Sequence, residues 1–402
     1  MLEKGLSSYL ENYLKKDSLI FKNKDALQTK YTPQTIPHRE VEIEKVAEIL
    51  APALKLQKPS TLLIYGKTGT GKTLTITHVT DEIQKIANVK HLPLKIIYLN
   101  CKMKKVSDTE YRLIAELCKQ LGENVPDTGL PTKQVYDIFL RTIDKEKLLL
   151  ILILDEIDQL VNKIGDDIIY NLTRINQSLK NSEVSFIGIT NNTQFKDTLD
   201  SRNLSSLNDE GILFPPYNAN QLSEILEKRA KISFKDGTYN PDLLNKCAAY
   251  AAKEHGDARK ALDLLRQAGE LAERKGLNMI TTNLLDDAYE KLGTDYILEA
   301  IKKQPSHSKI LLYTILKHLE SNSFAKTGEV FETYEKVCGN TKQRPLTMRR
   351  VSDLITELDT LGIISTQTIS EGRYGKTRKM NSLIPPSTTP QIMKLLKEDL
   401  DI

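Results

Sequence analysis

The sequence predicts an α/β fold in which a parallel sheet, covered by helices on both faces, precedes a small all-helical unit and a terminal segment of helices and a hairpin. Five short runs, STLLIYG, KIIYLN, LLLILIL, EVSFIGIT and GILF, carry aliphatic or β-branched side chains on both faces and alternate with helical segments. Strands of that kind belong to parallel sheets buried on both sides. After Pro215-Pro216 the pattern changes: residues 219–298 hold no strand signal, and a period-2 stretch returns only near 363.

Taken in order, residues 1–35 are polar, lack clear periodicity and end in the turn-rich YTPQTIPHRE, and residues 40–56 read as an amphipathic helix. The longest apolar run, Leu148 to Leu154, has the length of a buried strand and falls well short of a membrane span. Pro215-Pro216 ends the last strand and marks a domain boundary. Helices are expected at 219–231, 241–254, 257–275 and 281–292, and again near 308–320, 325–338 and 346–361. IISTQTIS-EGRYGK-TRKMNSLI then reads as a two-stranded hairpin with a Gly-bearing tip. Three helices followed by a hairpin is the layout of a winged helix-turn-helix. The expected domains are 1–216, 217–299 and 300–402.

An apolar fraction of 40% and a charged fraction of 27% are those of a soluble globular protein. MLEKGLSSYLENYLKK lacks the apolar core and small-residue cleavage site of a secretory leader. Cys101, Cys118, Cys247 and Cys338 show no CxxC spacing, so they read as reduced thiols of a cytoplasmic protein, without a zinc site or a disulfide framework. The net charge of +4 is unevenly spread: residues 300–402 hold 16 Lys/Arg against 11 Asp/Glu, leaving 41 against 42 elsewhere. The basic excess lies in the last quarter of the chain, where a solvated face or a polyanion partner would account for it.

Gly66-Lys67-Thr68-Gly69-Thr70-Gly71-Lys72-Thr73 follows the strand TLLIY and opens a helix, the context a phosphate loop requires. Glycines let consecutive backbone N–H groups point at phosphate oxygens beside a helix N-terminus. Lys72 supplies a point charge for the β- and γ-phosphates, and the Thr73 hydroxyl is a magnesium ligand. Asp155-Glu156 ends the apolar strand at the edge where ligands bind. There Asp155 would hold magnesium through water and Glu156 would polarise the attacking water. An acidic residue after a strand also caps the next helix. Together the phosphate loop and the carboxylate pair predict an ATP-binding domain of the AAA+ type. Asn191 ends VSFIGIT, where an amide would position the water or touch the γ-phosphate, or simply make a turn. Arg259, one turn inside the helix that follows Gly256-Asp257, would reach a nucleotide clamped between sheet and lid; a surface arginine fits the same position.

YGKTGTGKT, ILDEID, GITNN, LDSR…SSL, FPPY and GDARKALDLLR, in that order, resemble the archaeal replication initiators related to the eukaryotic origin recognition complex and its cell-division-cycle relative. The resemblance spans about residues 30–385. It implies a slow, regulatory ATPase using ATP/ADP and magnesium, with duplex DNA at a replication origin as partner, together with the replicative helicase and a paralogous initiator. Residue by residue, it places Ile36, Pro37, His38, Arg39 and Tyr217 in the nucleotide set. Asn191 becomes the first sensor and Arg259 the second, and Arg202 becomes a candidate arginine finger for a neighbour's nucleotide, where a solvated loop arginine fits equally. Segment 101–131 is similar to the helical insertion that touches DNA, implicating Thr109, Arg112 and Thr128. Two positions depart from many relatives: Glu110, where Pro is common, weakens the insertion contacts, and Asn192, where Asp is common, leaves the sensor untouched.

In RPLTMRRVSDLITELDTLG, Val351, Leu354, Ile355, Leu358 and Leu361 form one buried helix face. Thr347, Arg349, Arg350, Ser352, Asp353 and Thr356 then face outward, and basic and hydroxyl residues near the start of such a helix suit a major groove. The hairpin carries Arg373, Tyr374, Lys376, Arg378 and Lys379, suited to backbone or minor-groove contact. Two other readings stay open: a clamp- or helicase-loading ATPase with a protein-docking tail, and a nucleotide-sensing transcription regulator.

Overall fold

Five parallel strands, β1 (Thr61–Tyr65), β2 (Leu94–Asn100), β3 (Leu149–Asp155), β4 (Glu183–Thr190) and β5 (Asp209–Leu213), form one sheet in the order β2-β3-β4-β1-β5. All five overlap the expected runs, β5 starting two residues before GILF. The computed structural model describes residues 18–102, 109–126, 128–207, 209–370, 376–386 and 388–402. These fall into two units divided between Leu285 and Asp286. Among the described residues no helix is long and apolar enough to cross a membrane.

The strand period of two sorts the core. Leu62 and Ile64 of β1 pack with Val46 and Leu50 of α1 (Glu40–Leu50) and with Ile76, Val79 and Ile83 of α2 (Lys72–Val89). Leu63 turns to the other face. There it joins a cluster with Leu113 and Leu117 of α3 (Glu110–Gln120), Phe139 of α4 (Thr132–Asp144), Leu160 of α5 (Ile157–Ile164) and Ile169 of α6 (Asp167–Arg174). Covered on both faces, β3 is buried at every residue. The register sets Asn100 of β2 beside Asp155 of β3, so two strand ends deliver polar residues to the same edge.

A short helix, α7 (Ser201–Leu207), precedes β5, and the chain then enters the lid. Its helices are α8 (Ala219–Ser233), α9 (Pro241–Lys253), α10 (Ala258–Arg274) and α11 (Thr282–Lys302). α8 opens on a capping box made by Asn218 and Gln221. α11 outruns the expected 281–292 and contains the division between the units. Residues 18–35, read as polar and aperiodic, form a strap on the lid. Phe21 bridges Phe234, the Lys22 and Asn23 N–H groups donate to Ser233 O, and Ile20, Phe21, Ala26 and Leu27 are buried. A side chain at Gly269 of α10 would begin 2.6 Å from the Phe21 ring, so a glycine there admits the strap.

In the second unit α12 (Ser306–Ser321) packs against α13 (Thr327–Asn340), α14 (Met348–Thr360) and α15 (Thr389–Leu400). The hairpin β7 (Ile364–Ser370) and β8 (Lys376–Ser382) gains a third strand, the two-residue β6 (Ala325–Lys326), in the order β6-β8-β7. α15 was not expected; it buries Ile392, Met393, Leu396 and Leu400. Val351, Leu354, Ile355 and Leu358 form the predicted buried face of α14. Leu361, expected with them, lies just past the helix and is 37% exposed.

Candidate nucleotide site and winged-helix surface

The loop Gly66–Thr73 runs from the end of β1 into α2, and its glycines permit two close approaches. At Gly69 (φ +74°) an added Cβ would sit 1.7 Å from Asp257 Oδ1, and at Gly71 (φ +90°) 2.9 Å from the Tyr217 hydroxyl. The lid therefore meets the phosphate loop directly, and Ala258 N donates to Gly69 O at 3.2 Å. Asp257 caps α10 by accepting from the Arg259 and Lys260 N–H groups, which fixes the first turn that carries Arg259. Thr70 braces the loop from within by donating to Lys67 O, while Lys67 and Thr68 are exposed.

Lys72 is 5% exposed and donates to Gly66 O, Lys67 O and Asn191 Oδ1 at 2.7, 2.8 and 2.8 Å. Burial lowers its pKa to about 8; Asp155 opposes that fall and Arg259 adds to it. Asp155 Oδ2 accepts from the Thr73 hydroxyl at 2.8 Å and from the Tyr98 hydroxyl at 2.7 Å. Burial, then the bond to Asp155, push the Tyr98 phenol well above its usual range. Tyr98 was not predicted, although β2 ends at the same sheet edge as β3. Glu156 takes a left-handed backbone (φ +55°) at the start of α5, and Lys102 Nζ lies 3.8 Å from its carboxylate. Lys72, Thr73, Asp155, Glu156, Asn191 and Arg259 line a single cleft of about 120 Å³.

Gly69, Gly71, Thr73 and Arg259 also border a larger cavity of about 550 Å³. Tyr31, Ile36 and Pro37 wall it from the strap side, Tyr217 from the sheet–lid linker, and Ile225 and Leu262 from the lid. His38 and Arg39, expected in the same set, stand outside the wall. His38 pairs with Glu224 at 3.0 Å. Arg39 is 2% exposed; it donates to Thr70 O, His38 O and Pro215 O, and stacks on Tyr217 at 3.9 Å. A guanidinium with its donors so committed ties the chain before α1 to the phosphate loop and the strand exit. Arg202, the second residue of α7, has its side chain 85% exposed and 3.4 Å from Asp200. Asn192, the departure noted beside the sensor, caps its own turn by accepting from Gln194 N.

Residues 103–108 and 127 of segment 101–131 lie outside the described residues; in the rest, polar side chains fix the start of α3. Thr109 Oγ1 accepts from Arg112 N as the N-cap of α3, and Tyr111 donates to Pro126 O. Arg112 is half-buried and Thr128 exposed. Glu110 accepts from Tyr136 and Asn171, so this carboxylate joins α3 to α4 and α6.

In the second unit Thr347 Oγ1 accepts from Arg350 N as the N-cap of α14, a use of the hydroxyl that the outward-facing reading missed. Arg349 and Arg350 are exposed, but Arg350 lies 3.7 Å from Asp353 and 3.9 Å from Glu357. Arg378, expected on the wing surface, is half-buried and donates to Ser352 O and Thr356 Oγ1, bracing the wing on α14. Arg373 and Tyr374 lie outside the described residues, and of Lys376 only the backbone, paired with Ser370, is described.

Three family descriptions match the chain in order: AAA domain over residues 55–194, Cdc6 AAA+ ATPase-type lid domain over 223–290, and CDC6 C terminal winged helix domain over 299–390. The ORC1-type DNA replication protein of Thermococcus onnurineus is 47% identical over 394 residues, 97% of this chain and 94% of that protein. The ORC1-type DNA replication protein 1 of Archaeoglobus fulgidus is 48% identical over 361 residues, 90% of this chain and 87% of that one. The solved structure of the Aeropyrum pernix ORC1 protein in complex with DNA superposes with a TM-score of 0.83 at 39% identity, covering 96% of this chain and 98% of that chain.

Proposed function

The chain belongs to the family of ORC1-type DNA replication proteins, and from that premise we propose that it is an ATP-dependent initiator that binds duplex DNA at a replication origin. The observation that carries the reading is the convergence on one cleft of Lys72, Thr73, Asp155, Glu156 and Asn191 from the sheet and Arg259 from the lid. The residues fit the implied ligands. The positive φ of Gly66, Gly69 and Gly71 at the N-terminus of α2 suits a phosphate loop, and Thr73 and Asp155 offer the oxygen donors magnesium takes. The adjoining cavity has the size of a small-molecule site.

When bound, ATP and magnesium supply the phosphoanhydride and the charge that polarises it. Lys72 would neutralise phosphate oxygens, Thr73 and Asp155 would hold the metal, and Glu156 would orient the attacking water. Tyr98 holds the Asp155 carboxylate in place. The Lys102 ammonium competes for Glu156, which supports slow, regulatory hydrolysis. Asn191, bonded to Lys72, and Arg259, set by the Asp257 cap, report the phosphate state to sheet and lid. The lid then carries that state to DNA affinity and to recruitment of the replicative helicase. Arg202 serves a neighbouring copy or a paralogous initiator as an arginine finger; its exposure supports that role.

On DNA, Arg349 and Arg350 of α14 read base edges. The wing, through Arg373, Tyr374 and Lys376, and the insertion, through Arg112 and Thr128, meet the backbone. Footprinting on the organism's own genomic DNA, with ATP, tests the proposal. Protection of one or a few discrete loci by the wild type, lost in Lys72→Ala, is the expected result. Protection spread over promoters would make the chain a transcription regulator, and no specific protection would leave a loader with a protein-docking tail.

A further inference from the structure

The large cavity holds a charged group that the phosphate chemistry leaves unused. Arg229, on α8, is 7% exposed and lines the cavity. Its guanidinium lies 4.5 Å from the centre of the Tyr31 ring, and Nη2 donates to Tyr31 O at 3.4 Å. Nη1 is buried with no hydrogen-bond partner among the described residues. The same cavity is lined by the apolar Ile36, Pro37, Ile225, Ile232 and Leu262 and by Thr29, Thr32, Gln34 and Thr35, none of which bonds Nη1. A buried cationic donor without a partner is costly, and such groups mark positions where a ligand supplies the missing acceptor.

We propose that Arg229 is the group that reads the base of the bound nucleotide, donating from Nη1 to a hydrogen-bond acceptor on the base while the strap residue Tyr31 holds the guanidinium in place. The inference rests on the nucleotide reading of the adjoining cleft and deepens it. The cleft takes the triphosphate and is indifferent to what the triphosphate carries; Arg229 makes the site select a nucleoside triphosphate. Because Tyr31 belongs to the strap and Arg229 to the lid, the base site forms only where the strap is seated.

Titration of the full-length protein with ATP, ribose 5-triphosphate and inorganic tripolyphosphate separates these parts. Arg229→Met, which keeps an unbranched apolar stem and lacks donors, is expected to weaken ATP about tenfold, the loss of one charge-assisted hydrogen bond. It should leave both base-free ligands bound as in the wild type. Arg229→Lys, which keeps the charge and loses the fork, should fall between. Equal ATP affinity in wild type and Arg229→Met would make Arg229 a brace for Tyr31 and overturn the proposal. An equal loss on ribose 5-triphosphate would make the sugar the recognised group and overturn it as well. A wild type that binds neither ATP nor tripolyphosphate would sink the nucleotide reading itself. Should Arg229→Met fail to fold, the wild type decides the matter. Its Arg229 guanidinium NMR signal should move on adding ATP and stay put on adding tripolyphosphate, and the same shift with both would refute the assignment.

Discussion

Lys72 and Arg349 are both assigned to a nucleic acid or nucleotide, yet they sit in opposite settings. Lys72 is almost wholly buried and has three oxygen partners at hydrogen-bond distance, one of them on Asn191 just past the end of β4. Arg349 is exposed near the start of a helix whose neighbouring cation, Arg350, is partly neutralised by its own acidic neighbours. A cation of the first kind is held before the ligand arrives, so its site is preorganised and its loss is costly. One of the second kind orders on binding, and its worth depends on salt and on what it meets. Candidate nucleotide residues are therefore set by spacing, and candidate DNA residues mainly by charge and exposure.

The largest loss is expected at Arg39. Arg39→Ala removes a guanidinium that touches the phosphate loop, the strand exit and Tyr217, and it should cost about 3–5 kcal/mol of stability, as loss of a buried, fully bonded charge does. Denaturant unfolding checks this, and a variant with wild-type stability would make Arg39 a peripheral residue. Lys72→Ala should weaken ATP and ADP by roughly a hundredfold, about 3 kcal/mol, with little change in fold. Equal affinity in calorimetry would refute the site.

The same lysine sharpens the contrast through pH. Its pKa is lowered to about 8 in the ligand-free protein, whereas nearby phosphates favour the charged form and raise it again. Below that value the ammonium is charged before and after binding, and no proton moves. Above pH 8 binding takes up a proton, so affinity falls as pH rises, by at most about tenfold per unit. Calorimetry at pH 8.5 in buffers of different ionisation enthalpy should detect fractional proton uptake, absent in Lys72→Arg. On the winged helix the expected effects are smaller. Arg349→Ala should lower specific DNA affinity by about 1–3 kcal/mol and relax sequence preference. Arg350→Ala should cost less, since Asp353 and Glu357 already share its charge. A larger loss at Arg350 in gel-shift titrations would reverse the two assignments.

The sequence made the sheet legible because each strand is aliphatic on both faces and ends in residues of distinct chemistry. Glycine spacing and the Asp155-Glu156 pair located the cleft for the same reason. The strap was not legible: Ile20, Phe21, Ala26 and Leu27 are too few to show a period, and their partners Phe234 and Gly269 are far away in the chain. The spacing of Ile392, Met393, Leu396 and Leu400 did carry a helical pattern, masked by the prolines at 385, 386 and 390. Thr109 and Thr347 show another limit, since a hydroxyl at a helix start suits both a cap and a phosphate. The direction of the Arg39 and Arg378 side chains depends on tertiary neighbours, which no local pattern encodes.

As proposed, nucleotide bound in the first unit governs specific duplex binding by a chain that reads DNA through its winged helix. The most direct test is an equilibrium titration of an origin duplex and a scrambled duplex across a salt series, with ATP, with ADP and without nucleotide. Origin affinity should exceed scrambled affinity by about a thousandfold or more at physiological salt, with the difference changing between ATP and ADP. Equal affinity for both duplexes, with one salt slope in all three nucleotide conditions, would contradict it.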